Sequence, residues 1–532
     1  MGRETNIHLL QALEKQIEEG KGDIIKLKRT RNSLLNISIR APPEILGCIF
    51  SRSVAREAAH PVHSRDFAGL RKGSYNFLLV CHHWFEVASR TPELWSFWGN
   101  TLQDWKKRHH SCGATPLDLV LHGNQCDPGV RFDESLQYAV RSRVMQDTIR
   151  QVHLTSNDCD ILNTVISSLT PNDNGGQNDN IESIIWRNGG YTFVDPSNFF
   201  ARSRLSRLRS LDLYGLFWVS SWDRLASRTT LLTTLSLDFH PFPSSPAPTA
   251  SQLFSILASN PNLRRLTLSN SLPHNTDGST FRIPLHNLKA LCLVGKFCHL
   301  SGLLHRLILP GILDRVDLMG TGSTVEDVLQ TLGPYMRDYF RCDAGFQDTL
   351  EASTPSSSSG SAAIFVTVVY GETTRLELES QGTSFKVQLA NRPPPDVLEQ
   401  LLIDVIALVP KERVEYFNAE LNTKLPEELL LMMPNIKVLH AVGAELSEGF
   451  LQPNPDGPYA NAKLLPSLKT LYLDDVILKG GDWSYLTTYL AHQTSDGQII
   501  SLEMFGEFPY MCPEVVNEIK DMVGRFTYYQ LE

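Results

Sequence analysis

The chain has 532 residues, of which 42% are hydrophobic, 20% charged and 9% aromatic. That balance excludes a disordered or fibrous chain and is enough for a large buried core. A formal net charge of −9 carries no basic stripe of the kind a nucleic-acid binder shows.

The opening residues, MGRETNIHLLQALEKQIEEGK, become charged too early for a secretory signal, and the sixth position lacks the Ser or Thr of a myristoylation motif. The nine cysteines are scattered and none forms a Cys-x-x-Cys pair. A reduced, intracellular compartment (cytoplasmic, nuclear or both) is therefore expected. The longest apolar run, 401–409, is short and contains Asp404, so no membrane-spanning helix is expected.

Residues 1–36 read as a helical leader. Leu10, Ile17 and Ile24 recur at seven, and Leu13, Leu27 and Leu34 form a second row, with Gly20 and Arg31 interrupting the seam. Packing of this seam within the chain, or a short helical lead-in, is favoured over pairing with another chain, because Gly20 and Gly22 each weaken the helix by about 1 kcal/mol.

Residues 37–98 read as a compact helical domain. APPEILGCIF (41–50) places prolines and Glu44 where a helix N-terminus favours them, with Ile45, Leu46, Ile49 and Phe50 following at helical spacing. A loop is expected over 54–74, a helix over roughly 76–89, and another helix opening at Thr91-Pro92-Glu93. Val80, Trp84 and Val87 make one apolar row of the 76–89 helix; Leu78, Cys81, Phe85 and Ala88 make the adjoining one.

The Cys81-His82-His83 run and the His109-His110-Ser111-Cys112 group invite a metal reading. Consecutive residues on a helix point in different directions, and Lys106-Lys107-Arg108 would oppose a cation beside the second group. No metal and no cofactor is expected. Phosphate-loop, HExxH and GxSxG signatures are also missing, so no catalytic residue is assigned and no enzyme is expected.

After a linker over 99–114 the sequence repeats an apolar-x-x-apolar-x-apolar cassette. PNLRRLTL (261–268), PNIKVLHA (434–441) and PSLKTLYL (466–473) agree best; LRSLDL, LTTLSL, LKALCL and LDRVDL are looser, and IRQVHL, IESIIW and IISLEM weaker. The last apolar positions from Leu154 to Leu318 lie 24 to 32 residues apart. One short strand and one helix per period cannot bury both apolar faces alone, so neighbours must stack. The expected fold class is α/β: a curved, degenerate leucine-rich-repeat-like solenoid over 115–532 behind the helical domain. A Ser-rich tract (353–362) precedes three alternating runs, so 341–392 is expected to be an inserted antiparallel β-meander.

APPEILGCIF, LLVCHHW and ASRTPELW, in that order, resemble the F-box, and the leader, long loop and leucine-rich tail resemble the F-box-like proteins abundant in mushroom-forming fungi. The resemblance implies a helical hook for a Skp-type adaptor, which joins a cullin. Its contact residues would be Pro42, Pro43, Glu44, Ile45, Leu46, Ile49 and Phe50, then Leu79, Val80, Cys81 and Trp84, closed by Pro92, Leu94 and Trp95. Ala41 stands where that family usually has Leu. The implied function is a substrate-recruiting subunit of a ubiquitin ligase, the rival being a leucine-rich scaffold outside any ligase. A protein target would meet the outward residues of the cassette strands: Arg265, Thr267, Lys289, Cys292, Lys469 and Tyr472. Neither nucleic acid nor membrane is an expected partner.

Overall fold

The computed structural model describes residues 15, 20–21, 23–28, 41–59, 82–91, 97–98, 116–122, 148–156, 159–170, 179–188, 194, 196–215, 222–239, 248–270, 272, 282–310, 313–321, 364–370, 374–380, 383–389, 394–421, 423–446, 465–478, 483–495, 501–506, 508 and 511–530. They fall into two compact units, Met1–Leu208 and Arg209–Glu532.

In the first unit, Ile24 and Leu27 of the leader are 54% and 70% exposed. At these two positions the seam is uncovered, as the lead-in alternative allows. Helix α1 (Pro43–Ala59) starts on the predicted proline with Glu44 in its first turn, and continues through 54–59, which the sequence reading gave to a loop. Helix α2 (His82–Ser89) packs against it. Leu46, Phe50, Val87 and Ala88 form the core of the pair, and Ala41 and Trp84 close over it. Beyond it come β1 (Phe97–Trp98), β2 (Leu117–His122), β3 (Ile149–Ser156), α3 (Cys159–Leu169), β4 (Ser183–Asn188) and α4 (Ser197–Arg202). Strands β1 to β4 pair in parallel in chain order. A strand thus opens at Phe97, inside the segment read as the helical domain. Trp186 of β4 is fully buried against Phe199 and Phe200 of α4, with ring centroids 5.0 and 5.4 Å away.

The second unit is a leucine-rich-repeat-like array of mixed α/β structure. Its first turns are β5 (Ser210–Tyr214), α5 (Trp222–Arg228), β6 (Thr234–Asp238), α6 (Ala250–Ser259), β7 (Arg265–Ser269), a two-residue β8 (Ile283–Pro284), β9 (Ala290–Lys296), α7 (Phe297–Leu304), a two-residue β10 (Leu307–Ile308) and β11 (Arg315–Thr321). Strands β5, β6, β7, β9 and β11 are parallel neighbours in that order. The register aligns like residues: Leu211, Leu235, Leu266, Leu291 and Val316 form one row, and Leu213, Leu237, Leu268, Leu293 and Leu318 the next, all buried. The x positions between them share the opposite face because strand side chains alternate.

The meander is spliced into this sheet. Strands β12 (Ile364–Tyr370), β13 (Thr374–Ser380) and β14 (Thr383–Leu389) are antiparallel neighbours, as expected from their alternation. They also pair outward: β14 runs parallel to β11, and β12 parallel to β15 (Val414–Leu421). The order β11-β14-β13-β12-β15 means the chain skips two strand positions, returns, and then recrosses through α8 (Pro395–Ala407). Two reversals are needed for both outer strands of a three-stranded insertion to match the parallel array.

From β15 the parallel order resumes through β16 (Val438–Val442), β18 (Thr470–Asp474), β20 (Ser501–Gly506) and β21 (Arg525–Gln530). Short α9 (Glu427–Leu431), then α10 (Ser484–Ser495) and α11 (Pro513–Met522), lie between them in sequence. The two-residue strands β17 (Glu445–Leu446) and β19 (Ile477–Leu478) pair apart from the main sheet, as β8 and β10 do. No helix among the described residues is long and apolar enough to cross a membrane.

Candidate functional site

Two surfaces carry the residues singled out in the sequence. The first is the α1–α2 pair. Among the described residues, three large apolar side chains remain outside its core: Ile45 is 52% exposed, Ile49 51% and Phe85 50%. Ile45 and Ile49 are one turn apart on α1, so they share a side. Pro42, Pro43 and Glu44 are exposed as well. Leu46 and Phe50, each 2% exposed, are buried in the core of the pair, where Phe50 meets the half-buried Trp84 with ring centroids 5.0 Å apart. Leu79, Val80, Cys81, Pro92, Leu94 and Trp95 lie outside the described residues.

On another side of the pair, Pro43, Gly47, Cys48, His83, Glu86 and Arg90 help line an open groove of about 660 Å³. Gly47 keeps the helices close: a Cβ there would stand 3.2 Å from Thr91 Oγ1, which itself donates to the Val87 carbonyl at 2.8 Å. His83 Nε2 is shut off from solvent without a hydrogen-bond partner among the described residues. Among those residues no group of three His, Cys, Asp or Glu side chains converges as metal ligands, and the 109–112 cluster lies outside them.

The second surface is the strand face of the array. Thr267, Cys292 and Tyr472 occupy one register row, which reads Asp212, Ser236, Thr267, Cys292 and Asp317 before the meander and Asn418, His440, Tyr472, Glu503 and Thr527 after it. All ten are partly open to solvent. Arg265 is exposed on the neighbouring row, while Lys289 and Lys469 are exposed one residue before β9 and β18. Burial pushes the Cys292 thiol up from its ordinary value, with Asp317 adding to the shift, which disfavours the thiolate form.

After the meander the row and its neighbours become aromatic and acidic. His440 and Tyr472 have ring centroids 5.5 Å apart; Phe505 and Tyr529, register partners in an adjoining row, stack at 5.1 Å. Of this cluster, Tyr472 alone is among the residues expected from the sequence to meet a target. His440 was within reach of the same reading, since PNIKVLHA puts a histidine where PSLKTLYL puts that tyrosine.

No protein-family model and no curated protein matches the chain. Among solved structures, an internalin from Listeria monocytogenes is similar at 12% identity and a TM-score of 0.28, over 65% of this chain and 79% of that one. At that score the likeness carries nothing about function. The repeat architecture stands on its own strand register.

Proposed function

We propose that this chain is a protein-binding repeat scaffold that acts as the substrate-recruiting F-box subunit of a cullin-type ubiquitin ligase. The α1–α2 pair docks a Skp-type adaptor, and the strand face of the array holds the target protein. The observation that carries the reading is the row of half-exposed Ile45 and Ile49 on a helix whose inward residues, Leu46 and Phe50, are already buried. Large apolar side chains left exposed on a helix whose inward residues are buried mark a place where another apolar surface fits. The Pro-Glu-Ile-Leu start of that helix and the later Cys-His-His-Trp helix supply the resemblance to an F-box. In this role the chain performs no chemistry: it raises the local concentration of a target beside a conjugating enzyme.

The test is retention of a purified Skp-type adaptor by the full chain. Ile45→Ser/Ile49→Ser should abolish retention while moving stability by no more than about 0.5 kcal/mol per site, since both positions are surface ones. A wild-type chain that never retains the adaptor overturns the ligase reading and leaves a repeat scaffold.

A further inference from the structure

The strand face beyond the meander differs chemically from the face before it. From β6 to β9 the shared row holds Ser236, Thr267 and Cys292, all small. From β16 to β21 the face holds two ring pairs instead, His440 with Tyr472 and Phe505 with Tyr529, the last 57% exposed.

The charges on this face do not cancel at one place. Lys437 is bonded to Glu415, Arg525 lies 3.8 Å from Glu503, and Lys469 precedes the N-terminal end of β18. At the opposite, C-terminal end, Glu420 of β15 and Asp474 of β18 are in one register row with Val442 of β16 between them. Their backbones are two strand spacings apart, about 10 Å. Among the described residues neither carboxylate meets a cation.

Each of these features selects the same chemistry. Ring faces attract cations, and the two carboxylates attract them over a longer range. An acidic partner would be repelled, and a purely apolar one would strand both carboxylates without water. We propose that the patch formed by Glu420, Val442, Asp474, His440 and Tyr472 receives a basic segment of a partner protein, with an arginine or lysine side chain lying over Val442 between the two carboxylates. The inference rests on the reading of the strand face as the target-binding surface and is independent of the adaptor.

The experiment uses the full chain and three fluorescein-labelled peptides of equal length: tetra-arginine, tetra-glutamate and a Gly-Ser control. Fluorescence anisotropy at about 0.15 M salt should show binding of tetra-arginine alone. Glu420→Gln/Asp474→Asn should weaken it at least about tenfold, and Tyr472→Leu about fivefold through lost ring contact. Glu518→Gln/Asp521→Asn, on exposed positions of α11, makes the same change in net charge and should leave it within about twofold. Unchanged melting temperatures show that the variants fold. No binding of tetra-arginine, equal binding of tetra-glutamate, or equal weakening by the α11 variant overturns the proposal. Adaptor retention by the Glu420→Gln/Asp474→Asn variant separates the two readings: the patch fails through the peptides, the ligase role through the adaptor.

Discussion

Phe50 of α1 and Trp84 of α2 meet with ring centroids 5.0 Å apart and planes inclined at 59°, the aromatic contact that ties the two helices together. Among the described residues, Leu46, Val87 and Ala88 are buried beside them. Trp84→Ala should cost about 2 kcal/mol, below the range for fully buried tryptophans because Trp84 is half-buried. In native-state hydrogen exchange, amides of α1 that open with the pair should lose about 30-fold in protection. Trp84→Phe should retain most of it.

Asp118 and Arg150 pair side by side on β2 and β3, with Nε to Oδ1 at 3.1 Å and Nη2 to Oδ2 at 2.8 Å. The two partners respond differently. Burial pushes the Asp118 carboxyl up, more than the hydrogen bonds and charge of Arg150 pull it down, while the bond to Asp118 raises Arg150. The side-chain exposures, 3% against 37%, explain why the cost falls on the aspartate. Arg150→Ala would leave a buried carboxylate without its cation and should cost about 3 kcal/mol, whereas Asp118→Leu/Arg150→Met should recover most of that loss. Thermal unfolding of the three proteins side by side decides it.

Much of this architecture is legible in the sequence, for a physical reason. Each of the ten cassettes lands on a strand, because Leu-x-Leu alternation commits one face to burial and a one-residue slip would expose every leucine. Val414–Leu421 (VEYFNAEL) carries a similar alternation without the cassette pattern, and its place as a strand is fixed by its pairing with β12 and β16. The meander's strands are visible as alternating runs, yet their insertion between β11 and β15 is not, since register between distant strands leaves no local trace. For the helix pair, spacing marks apolar rows but does not say which are covered. Leu46 and Ile45 are adjacent in sequence and differ from 2% to 52% exposed.

Asn260 does work that the cassette pattern did not assign to it. It is 1% exposed; its Oδ1 accepts from the Leu232 backbone N–H at 2.9 Å, and its Nδ2 donates to the Ile256 carbonyl at 2.8 Å. One side chain thus closes α6 and ties it to the preceding repeat. Asn260→Ala would strand a buried N–H and a carbonyl, costing about 2 kcal/mol. Asn260→Asp, which sets a buried carboxylate oxygen against the Ile256 carbonyl, should cost more than Asn260→Ala. Urea unfolding midpoints of both variants against wild type check the order.

Gly320 lies on the buried side of β11, and a Cβ built there would stand 1.7 Å from Cε2 of Phe297. That ring is 1% exposed at the start of α7, so it has no free space to swing into. Gly320→Ala should destabilise the array by about 1 to 3 kcal/mol through overpacking. Phe297→Leu costs stability alone but should restore part of it in the Gly320→Ala background. A double-mutant cycle showing simple additivity would refute the contact.

His440 gives the array a pH response whose sign is fixed. Burial holds its imidazole below the ordinary value, while Asp474 and Glu420 pull the other way without overcoming it. The unfolded chain, with a histidine near the usual value of about 6.5, therefore binds the proton more tightly than the folded one. Stability contributed here is complete above that value and is lost as pH falls from it through the folded pKa. His440→Gln, neutral throughout, removes this share of the acid sensitivity. Melting temperatures compared between pH 7.5 and pH 5.5 should fall further for wild type than for His440→Gln, and equal falls would show that the imidazole is as free to charge in the folded array as in the unfolded chain.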